Sequence, residues 1–172
     1  MRRGLLVFVY VLLVSAVLAG CDRGDSASAV PDTKRPKLEQ AVEFTLPDLA
    51  GRPHTLAEYL QRGPVMLVFY TTWCPYCRGE IPALKQAYRD YTPKGLQIVA
   101  INAGMADSIE NARAYAAQHT LPYPVLYDAD AKIAALYQVR AVPRIFLIQQ
   151  NGHILKADRR VPIQVLPQFV AS

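Results

Sequence analysis

Apolar side chains are distributed unevenly along the 172-residue sequence and divide it into three parts. Residues 4–19 form an almost unbroken apolar run behind Arg2 and Arg3, which is typical of an export signal and shorter than a typical transmembrane helix. Residues 21–37 are polar, rich in Ser, Asp and Pro, and show no apolar period. We therefore predict a signal peptide over residues 1–20, a flexible tether over 21–37 and one folded domain over 38–172.

Strand-like and helix-like segments alternate through the folded part. Residues 64–70 (PVMLVFY) are continuously apolar, as expected of a central strand that is covered on both faces. Asn151-Gly152 lies between two apolar runs and predicts a hairpin at 144–149 and 153–156. The pattern further predicts strands at 42–46, 96–101 and 123–126, a turn at 48–51, a capped helix start at 55–58, and helices at 75–91 (bent at Pro82), 107–118, 129–137 and 163–170. This order indicates an α/β domain with a central mixed sheet, antiparallel at one edge and flanked by helices.

Composition and charge exclude some classes of function. The chain is 52% hydrophobic and 19% charged, with a formal net charge of +5, but its Lys and Arg residues are scattered. Because no basic run with interleaved aromatic residues occurs, we expect no nucleic-acid partner. We also expect a monomer, since no segment suggests a dimerisation domain.

The apolar leader ends in Leu18-Ala19-Gly20-Cys21, which resembles the bacterial lipobox. This resemblance implies that Cys21 carries lipid, becomes the new N-terminus and anchors the domain on the extracytoplasmic side of the cell membrane. In a Gram-negative cell, Asp22 resembles a signal for retention at the periplasmic face of the inner membrane. An uncleaved anchor or an ordinary secretory signal is the alternative, and each also places the domain outside the cytoplasm.

Cys74 and Cys77 are then the remaining thiols, and they are placed between a buried strand and the start of a helix. The N–H groups and partial positive charge of a helix N-terminus stabilise a thiolate, so we predict that Cys74 is the more acidic and more exposed thiol. Cys77 follows three residues later on the same helix face and within bonding range. Pro75 suits the first helical position, where its missing N–H is no loss.

A cysteine pair can also belong to a zinc site, a haem-attachment site or a structural disulfide. A zinc site needs about four ligands, whereas His54, His119 and His153 are isolated in sequence, so we predict no metal. Covalent haem attachment needs a His after the second Cys, and that position is Arg78. A structural disulfide remains open, although a bridge that closes so short a loop stabilises weakly.

The residues around the pair resemble a known family. The run Trp73-Cys74-Pro75-Tyr76-Cys77 after an apolar strand, with Ala141-Val142-Pro143 ahead of RIFLI, is similar to the thioredoxin superfamily. More narrowly, FTLPDLAGRPHTL, PVMLVFYTTWCPYC and RGEIPAL resemble the TlpA/ResA-like membrane-tethered thiol-disulfide oxidoreductases, which include cytochrome c maturation reductases. The resemblance covers residues 42–161. It implies a thioredoxin-like fold with an N-terminal β-hairpin extension.

The resemblance also implies roles for particular residues. Cys74 would be the attacking thiol and Cys77 the resolving thiol. Pro143 would be a cis-proline that faces the cysteines, and the Val142 backbone would bind an extended substrate segment. Glu80 matches an acidic residue proposed to handle protons near the buried thiol.

Some implied roles leave alternatives open, and one position departs from the pattern. Glu80 could instead be a carboxylate that stabilises the first helical turn. Trp73 is expected both to pack over the disulfide and to cap the core. Trp73, Pro75 and Tyr76 are expected to contact substrate, and the Pro-Tyr pair to influence the redox potential. Thioredoxins carry a buried Asp where this chain has Val68, which argues against cytosolic thioredoxin chemistry.

The predicted function is reduction of protein disulfides, with apocytochrome c as one possible substrate. Electrons would come from a membrane partner, and the Cys74–Cys77 disulfide itself would be the redox centre, with no other cofactor. Two alternatives are net oxidation of protein thiols through the same residues and a non-catalytic metallochaperone or assembly factor on the same fold.

Overall fold

The computed structural model describes residues 38–171, which form an α/β domain. The strands are β1 (Thr45–Pro47), β2 (Pro53–Thr55), β3 (Val65–Tyr70), β4 (Gln97–Asn102), β5 (Val125–Tyr127), β6 (Arg144–Ile148) and β7 (Ile154–Asp158). The helices are α1 (Leu56–Leu60), α2 (Pro75–Tyr91), α3 (Ile109–Gln118), α4 (Lys132–Leu136) and α5 (Leu166–Phe169), with a 3₁₀ turn at Thr92–Lys94. Within this described part, no helix has the length and apolar character needed to cross a membrane.

The central sheet has the strand order β5-β4-β3-β6-β7. Strands β3, β4 and β5 are parallel, β6 pairs antiparallel with β3, and β7 pairs antiparallel with β6. The mixed sheet predicted from the sequence is therefore confirmed. Its central strand β3 is buried at all six positions, which explains its unbroken apolar sequence.

The two faces of β3 pack against different layers. Phe69 points to one face, where its ring meets Tyr137 and Phe146 at centroid distances of 5.4 and 5.9 Å. Tyr70 points to the opposite face, where its ring packs in a tilted arrangement against Tyr115 of α3 at a centroid distance of 5.4 Å. Helix α2 also packs on this second face, so the strand that leads into the cysteine pair is fixed from both sides.

The β6–β7 hairpin and the N-terminal β1–β2 hairpin are both present, as predicted. Gly152 adopts φ 83° in the β6–β7 turn, a conformation that suits glycine. The strand predicted at 42–46 begins only at Thr45, where pairing with Thr55 starts. A bridge between Asp48 and Leu126 joins the N-terminal hairpin to the edge strand β5.

Several predicted helix bounds are wrong by a few residues. Helix α3 begins at Ile109 rather than at 107, because the Ser108 side chain accepts the N–H of Asn111 and caps it. Helices α4 and α5 are shorter than the predicted 129–137 and 163–170. Helix α2 has the predicted bounds and runs without a break across Pro82, which is exposed on its outer face.

Candidate active site

The two cysteines lie at the junction of β3 and α2. Cys74 is the N-cap of α2, with extended backbone angles, and its Sγ accepts the backbone N–H of Cys77 at 3.2 Å. Pro75 occupies the first helical position, as predicted. The Cys77 N–H is thus aimed at Cys74 Sγ, which lies at the positive end of a 17-residue helix.

The expected exposure of Cys74 is wrong. Cys74 is 3% exposed and Cys77 is 4% exposed, so the two residues are buried almost equally. The reason is the loop before β6: the Cys74 thiol donates to the Val142 carbonyl oxygen at 3.6 Å, and Val142 and Pro143 are themselves buried. A sequence shows that the pair precedes a helix, but it does not show which distant loop covers that helix end.

The loop that covers Cys74 contains a cis peptide bond between Val142 and Pro143. A cis-proline that faces the cysteines was the expectation at this position. Pro143 lines a cavity together with Cys77, and its own backbone is adjacent to the carbonyl that accepts the Cys74 thiol. The structure thus brings Cys74, Cys77, Val142 and Pro143 together.

The two thiols differ in their surroundings. Burial, followed by the neighbouring Cys74 thiol, raises the pKa of the Cys77 thiol well above its ordinary value. Both cysteines are free thiols in this structure. Cys77 therefore remains protonated at neutral pH, whereas Cys74 receives an N–H and sits at the helix end.

Glu80 lies in the second turn of α2, so the interpretation that it stabilises the first turn is wrong. Its Oε2 accepts the backbone N–H of Val161 at 2.8 Å and so ties α2 to the segment after β7. Glu80 also lines a cavity of about 20 Å³ beneath Cys77, enough for about one water molecule. The other lining residues are Val68, Tyr70, Ile81, Leu84, Ala100, Tyr115, Leu121, Tyr123 and Pro143.

The expectation for Trp73 also needs correction. Its side chain is 56% exposed and does not cap the core. The indole N–H donates to the Met105 carbonyl oxygen at 2.9 Å, which fixes the ring beside the cysteine loop. Tyr76 is 75% exposed and, with Pro75, lines an open groove that begins at Pro143.

Sequence reasoning missed a polar cluster that holds the segment before Cys74. Asp107 accepts the Thr72 N–H at 2.7 Å, the Thr72 hydroxyl at 2.8 Å and the Asn102 side-chain amide at 2.8 Å. Burial alone would raise the pKa of Asp107, but hydrogen bonds from Thr72, Asn102 and Ser108 bring it below its usual value. No local pattern in the sequence indicates these contacts, because Asp107 lies 35 positions from Thr72.

Potential metal ligands do not cluster in the described part of the chain. Across residues 38–171, no three His, Cys, Asp or Glu side chains converge in a group that could hold an ion. His54 lies in the N-terminal hairpin, where its Nδ1 meets the Tyr59 hydroxyl at 2.9 Å. Cys21 lies outside the described residues, so its predicted lipidation stays a prediction.

Comparisons with known proteins identify the family of this chain. The model of the AhpC/TSA family matches residues 38–157. The thiol-disulfide oxidoreductase ResA of Geobacillus thermodenitrificans is 32% identical over 156 residues, which cover 91% of this chain and 84% of that protein. A Chlorobium tepidum structure assigned as a thiol:disulfide interchange protein DsbE has a TM-score of 0.67 at 29% identity, covering 77% of this chain and 94% of that chain.

A second solved structure is similar to the same degree. It is a secreted Mycobacterium tuberculosis disulfide oxidoreductase homologous to E. coli DsbE, with a TM-score of 0.61 at 28% identity, covering 74% of this chain and 94% of that chain. The family match over residues 38–157 includes β3, the start of α2 and the loop before β6. The chain belongs to the AhpC/TSA family of the thioredoxin superfamily, and it is a ResA-like thiol-disulfide oxidoreductase.

Proposed function

We propose that the protein is a lipid-anchored, extracytoplasmic enzyme that reduces protein disulfides through Cys74 and Cys77. The observation that supports this most strongly is the asymmetry of the pair: Cys74 Sγ accepts an N–H at the helix end, while burial raises the pKa of Cys77. Cys74 is thereby placed to attack the substrate disulfide, and Cys77 stays protonated until it resolves the mixed disulfide.

Disulfide reduction proceeds in two exchange steps. The Cys74 thiolate attacks one sulfur of the substrate disulfide, a mixed disulfide forms, and the second substrate sulfur leaves as a thiolate that takes up a proton. Cys77 then loses its proton and attacks Cys74 Sγ, which releases the first substrate sulfur and closes the Cys74–Cys77 bond. Two electrons pass to the substrate, and the enzyme dithiol becomes a disulfide.

Three other residues support these steps. Val142 offers backbone hydrogen bonds to an extended substrate segment, and cis-Pro143 shapes the loop that presents them. Glu80 accepts the Cys77 proton, because its carboxylate borders the same small cavity as that thiol. Glu80 is itself positioned by the Val161 N–H.

Anchoring and substrate follow from the sequence. Acyl chains on Cys21 contribute about 0.8 kcal/mol per buried CH₂ and hold the domain at the membrane. The enzyme there reduces oxidised cysteines of exported proteins, with apocytochrome c as the substrate that its family resemblance favours. A membrane electron donor returns the Cys74–Cys77 disulfide to the dithiol.

Substrate trapping tests the mechanism. In cells that express the full-length Cys77→Ser variant, the mixed disulfide through Cys74 cannot resolve, so adducts should accumulate that disappear on treatment with a reductant. The Cys74→Ser/Cys77→Ser double variant is the matched control and should form none. Absence of reductant-sensitive adducts in the single variant would refute the mechanism.

The same adducts test the substrate, and a redox titration tests the direction. If no trapped protein contains the Cys-x-x-Cys-His haem-attachment pattern, the apocytochrome c assignment is wrong. Equilibration with glutathione buffers gives the potential of the pair. A potential near that of the strong oxidants, about −120 mV, would replace reduction with net oxidation as the function.

A further inference from the structure

A groove with an unusual set of side chains leads away from the cysteine site. Its volume is about 620 Å³, within the range of ligand-binding clefts. It is lined by Pro75, Tyr76, Gly79, Glu80, Pro143, Arg159 and Arg160. Pro143 lines the groove and follows Val142, whose carbonyl contacts the Cys74 thiol, so the groove adjoins the loop that covers the attacking sulfur.

Two adjacent arginines give the groove its charge. Arg159 and Arg160 are exposed, and within residues 38–171 neither guanidinium forms an ion pair. Asp158 lies nearby, but its carboxylate contacts Lys156 at 3.2 Å. Glu80 is the one acidic side chain that lines the groove, and with two arginines against one carboxylate the lining retains a net formal charge of +1.

The backbone beneath these arginines is held at both ends. Asp158 Oδ1 accepts the Arg159 N–H at 2.7 Å and the Arg160 N–H at 3.4 Å. Glu80 accepts the N–H of the next residue, Val161, at 2.8 Å. The two guanidinium groups therefore extend from a fixed support, which lowers the entropy lost when a partner binds them.

One exposed aromatic ring lines the same groove, and another is next to Cys74 in sequence. Tyr76 lines the groove and is 75% exposed, and Trp73, which directly precedes Cys74, is 56% exposed. Large aromatic side chains and arginine are the residue types enriched at protein interfaces. Their combination here indicates a surface that contacts polypeptide.

We propose that this groove selects substrates with Asp or Glu side chains within a few residues of the disulfide that is reduced. The inference rests on the proposed function, because it assigns a substrate class to the same site. Arg159 and Arg160 bind the carboxylates, and the exposed rings of Tyr76 and Trp73 pack on the adjacent substrate backbone.

Three synthetic peptides test the selection. They contain the same Cys-x-x-Cys disulfide and differ only in flanking residues, which are Glu, Gln or Lys. Their reduction by the full-length protein, purified in non-ionic detergent and pre-reduced, is followed at low salt. We expect the Glu peptide to react roughly three- to tenfold faster than the Lys peptide, because each exposed ion pair contributes up to about 1 kcal/mol, and the ratio to approach one at high salt.

Charge reversal at two sites distinguishes selection by the groove from an effect of the protein's overall charge. Arg159→Glu/Arg160→Glu should invert the ratio of the Glu and Lys peptide rates, a ratio that a general loss of activity leaves unchanged. The matched control, Arg62→Glu/Lys94→Glu, makes the same change in charge at two exposed residues. Arg62 and Lys94 precede the N-terminal ends of β3 and β4, whereas the cysteines follow the C-terminal end of β3. This control should keep the wild-type ratio of the Glu and Lys peptide rates.

The outcomes separate this inference from the proposed function. If no peptide of any charge is reduced, the proposed function fails. If all three are reduced at equal rates, or if both double variants change the ratio equally, the groove does not select acidic substrates. Should Arg159→Glu/Arg160→Glu weaken binding to anionic lipid vesicles and leave the peptide ratio unchanged, the arginines face the membrane and the inference is overturned.

Discussion

A single carboxylate positions the segment that precedes the reactive cysteine. Asp107 accepts hydrogen bonds from the backbone and hydroxyl of Thr72, two residues before Cys74, and from the buried amide of Asn102 at the end of β4. Hydrogen bonds to a charged acceptor contribute more than neutral ones, and their loss leaves donors without partners. Asp107 thus links the β4 end to the cysteine loop, although it takes no part in the exchange chemistry.

Replacement of Asp107 should therefore loosen the domain near the site. We expect Asp107→Ala to lower the free energy of unfolding by about 2–3 kcal/mol, and Asp107→Asn by less, since the amide retains one acceptor. Urea unfolding followed by the fluorescence of Trp73, the one tryptophan in the chain, measures this. Asp90→Asn, which changes an exposed carboxylate on α2, is the control and should have little effect.

The effect of Asp107 should also depend on pH. Its folded-state pKa lies below the unfolded value, so its contribution is present above about pH 4 and disappears as the pH falls through the folded-state pKa. The stability difference between wild type and Asp107→Asn should shrink below pH 4. A difference that stays constant down to pH 2.5 would contradict this account of the carboxylate.

At the scale of elements, the loop between β4 and α3 supports the cysteine loop. This loop contains Met105, whose carbonyl accepts the Trp73 indole N–H. It also contains Gly104, where the backbone of the loop passes close to the end of β5. Gly104 has φ +64°, and a Cβ there would overlap the carbonyl oxygens of Asp128 and Ala129. Both the left-handed conformation and the close approach require glycine.

Gly104→Ala and Gly51→Ala form a matched pair for this loop. Gly51 has φ +86° but open space around its Cβ position, so its replacement should cost only the conformational strain, about 1–2 kcal/mol. Gly104→Ala should cost at least about 3 kcal/mol, because backbone must move as well. It should also shift Trp73 fluorescence and slow disulfide exchange. Equal losses of stability in the two variants would show that the close approach of Gly104 to the end of β5 does not add to the cost of the substitution.

At the scale of the whole molecule, the sequence predicted the elements better than their contacts. The apolar run of β3 and the Asn-Gly turn are local signals, and both elements formed as predicted. The contact between Cys74 and Val142, which buries the thiol, joins residues that are 68 positions apart, and the contact between Glu80 and Val161 joins residues that are 81 positions apart. No local sequence pattern indicates either contact. The cis-proline before β6 was expected only because the surrounding residues resemble a family.

Membrane attachment is predicted from residues that precede the folded domain. It can therefore be tested by a substitution that leaves the domain unchanged. Cys21→Ser removes the predicted lipidation site, so the mass of the purified variant should lack the acyl chains that the wild type carries. Ser26→Ala, in the same predicted tether, should keep the acylated mass of the wild type. If the wild type carries no acyl mass, the apolar leader is an uncleaved anchor or an ordinary secretory signal. Purified Cys21→Ser should reduce peptide disulfides at the wild-type rate, since Cys21 has no part in the proposed exchange.

Alkaline pH should destabilise the dithiol form of the folded domain. Burial raises the pKa of Cys77 above that of the unfolded thiol, so its contribution to stability is complete below about pH 8.5 and is lost as the pH rises. The free energy of unfolding of the dithiol form should then fall with a limiting slope of about 1.4 kcal/mol per pH unit. Buried tyrosines also have raised pKa values and add a slope at higher pH, so the informative window is pH 8.5–10.

Two forms of the protein isolate the contribution of Cys77 in that window. Cys77→Ala lacks the thiol, and the disulfide form has no ionisable sulfur, so neither should show the slope between pH 8.5 and 10. Urea unfolding of all three forms across this range provides the comparison. If the dithiol form and Cys77→Ala lose stability in parallel, folding does not raise the pKa of Cys77. The attacking and resolving roles of the two thiols then have to be reassigned.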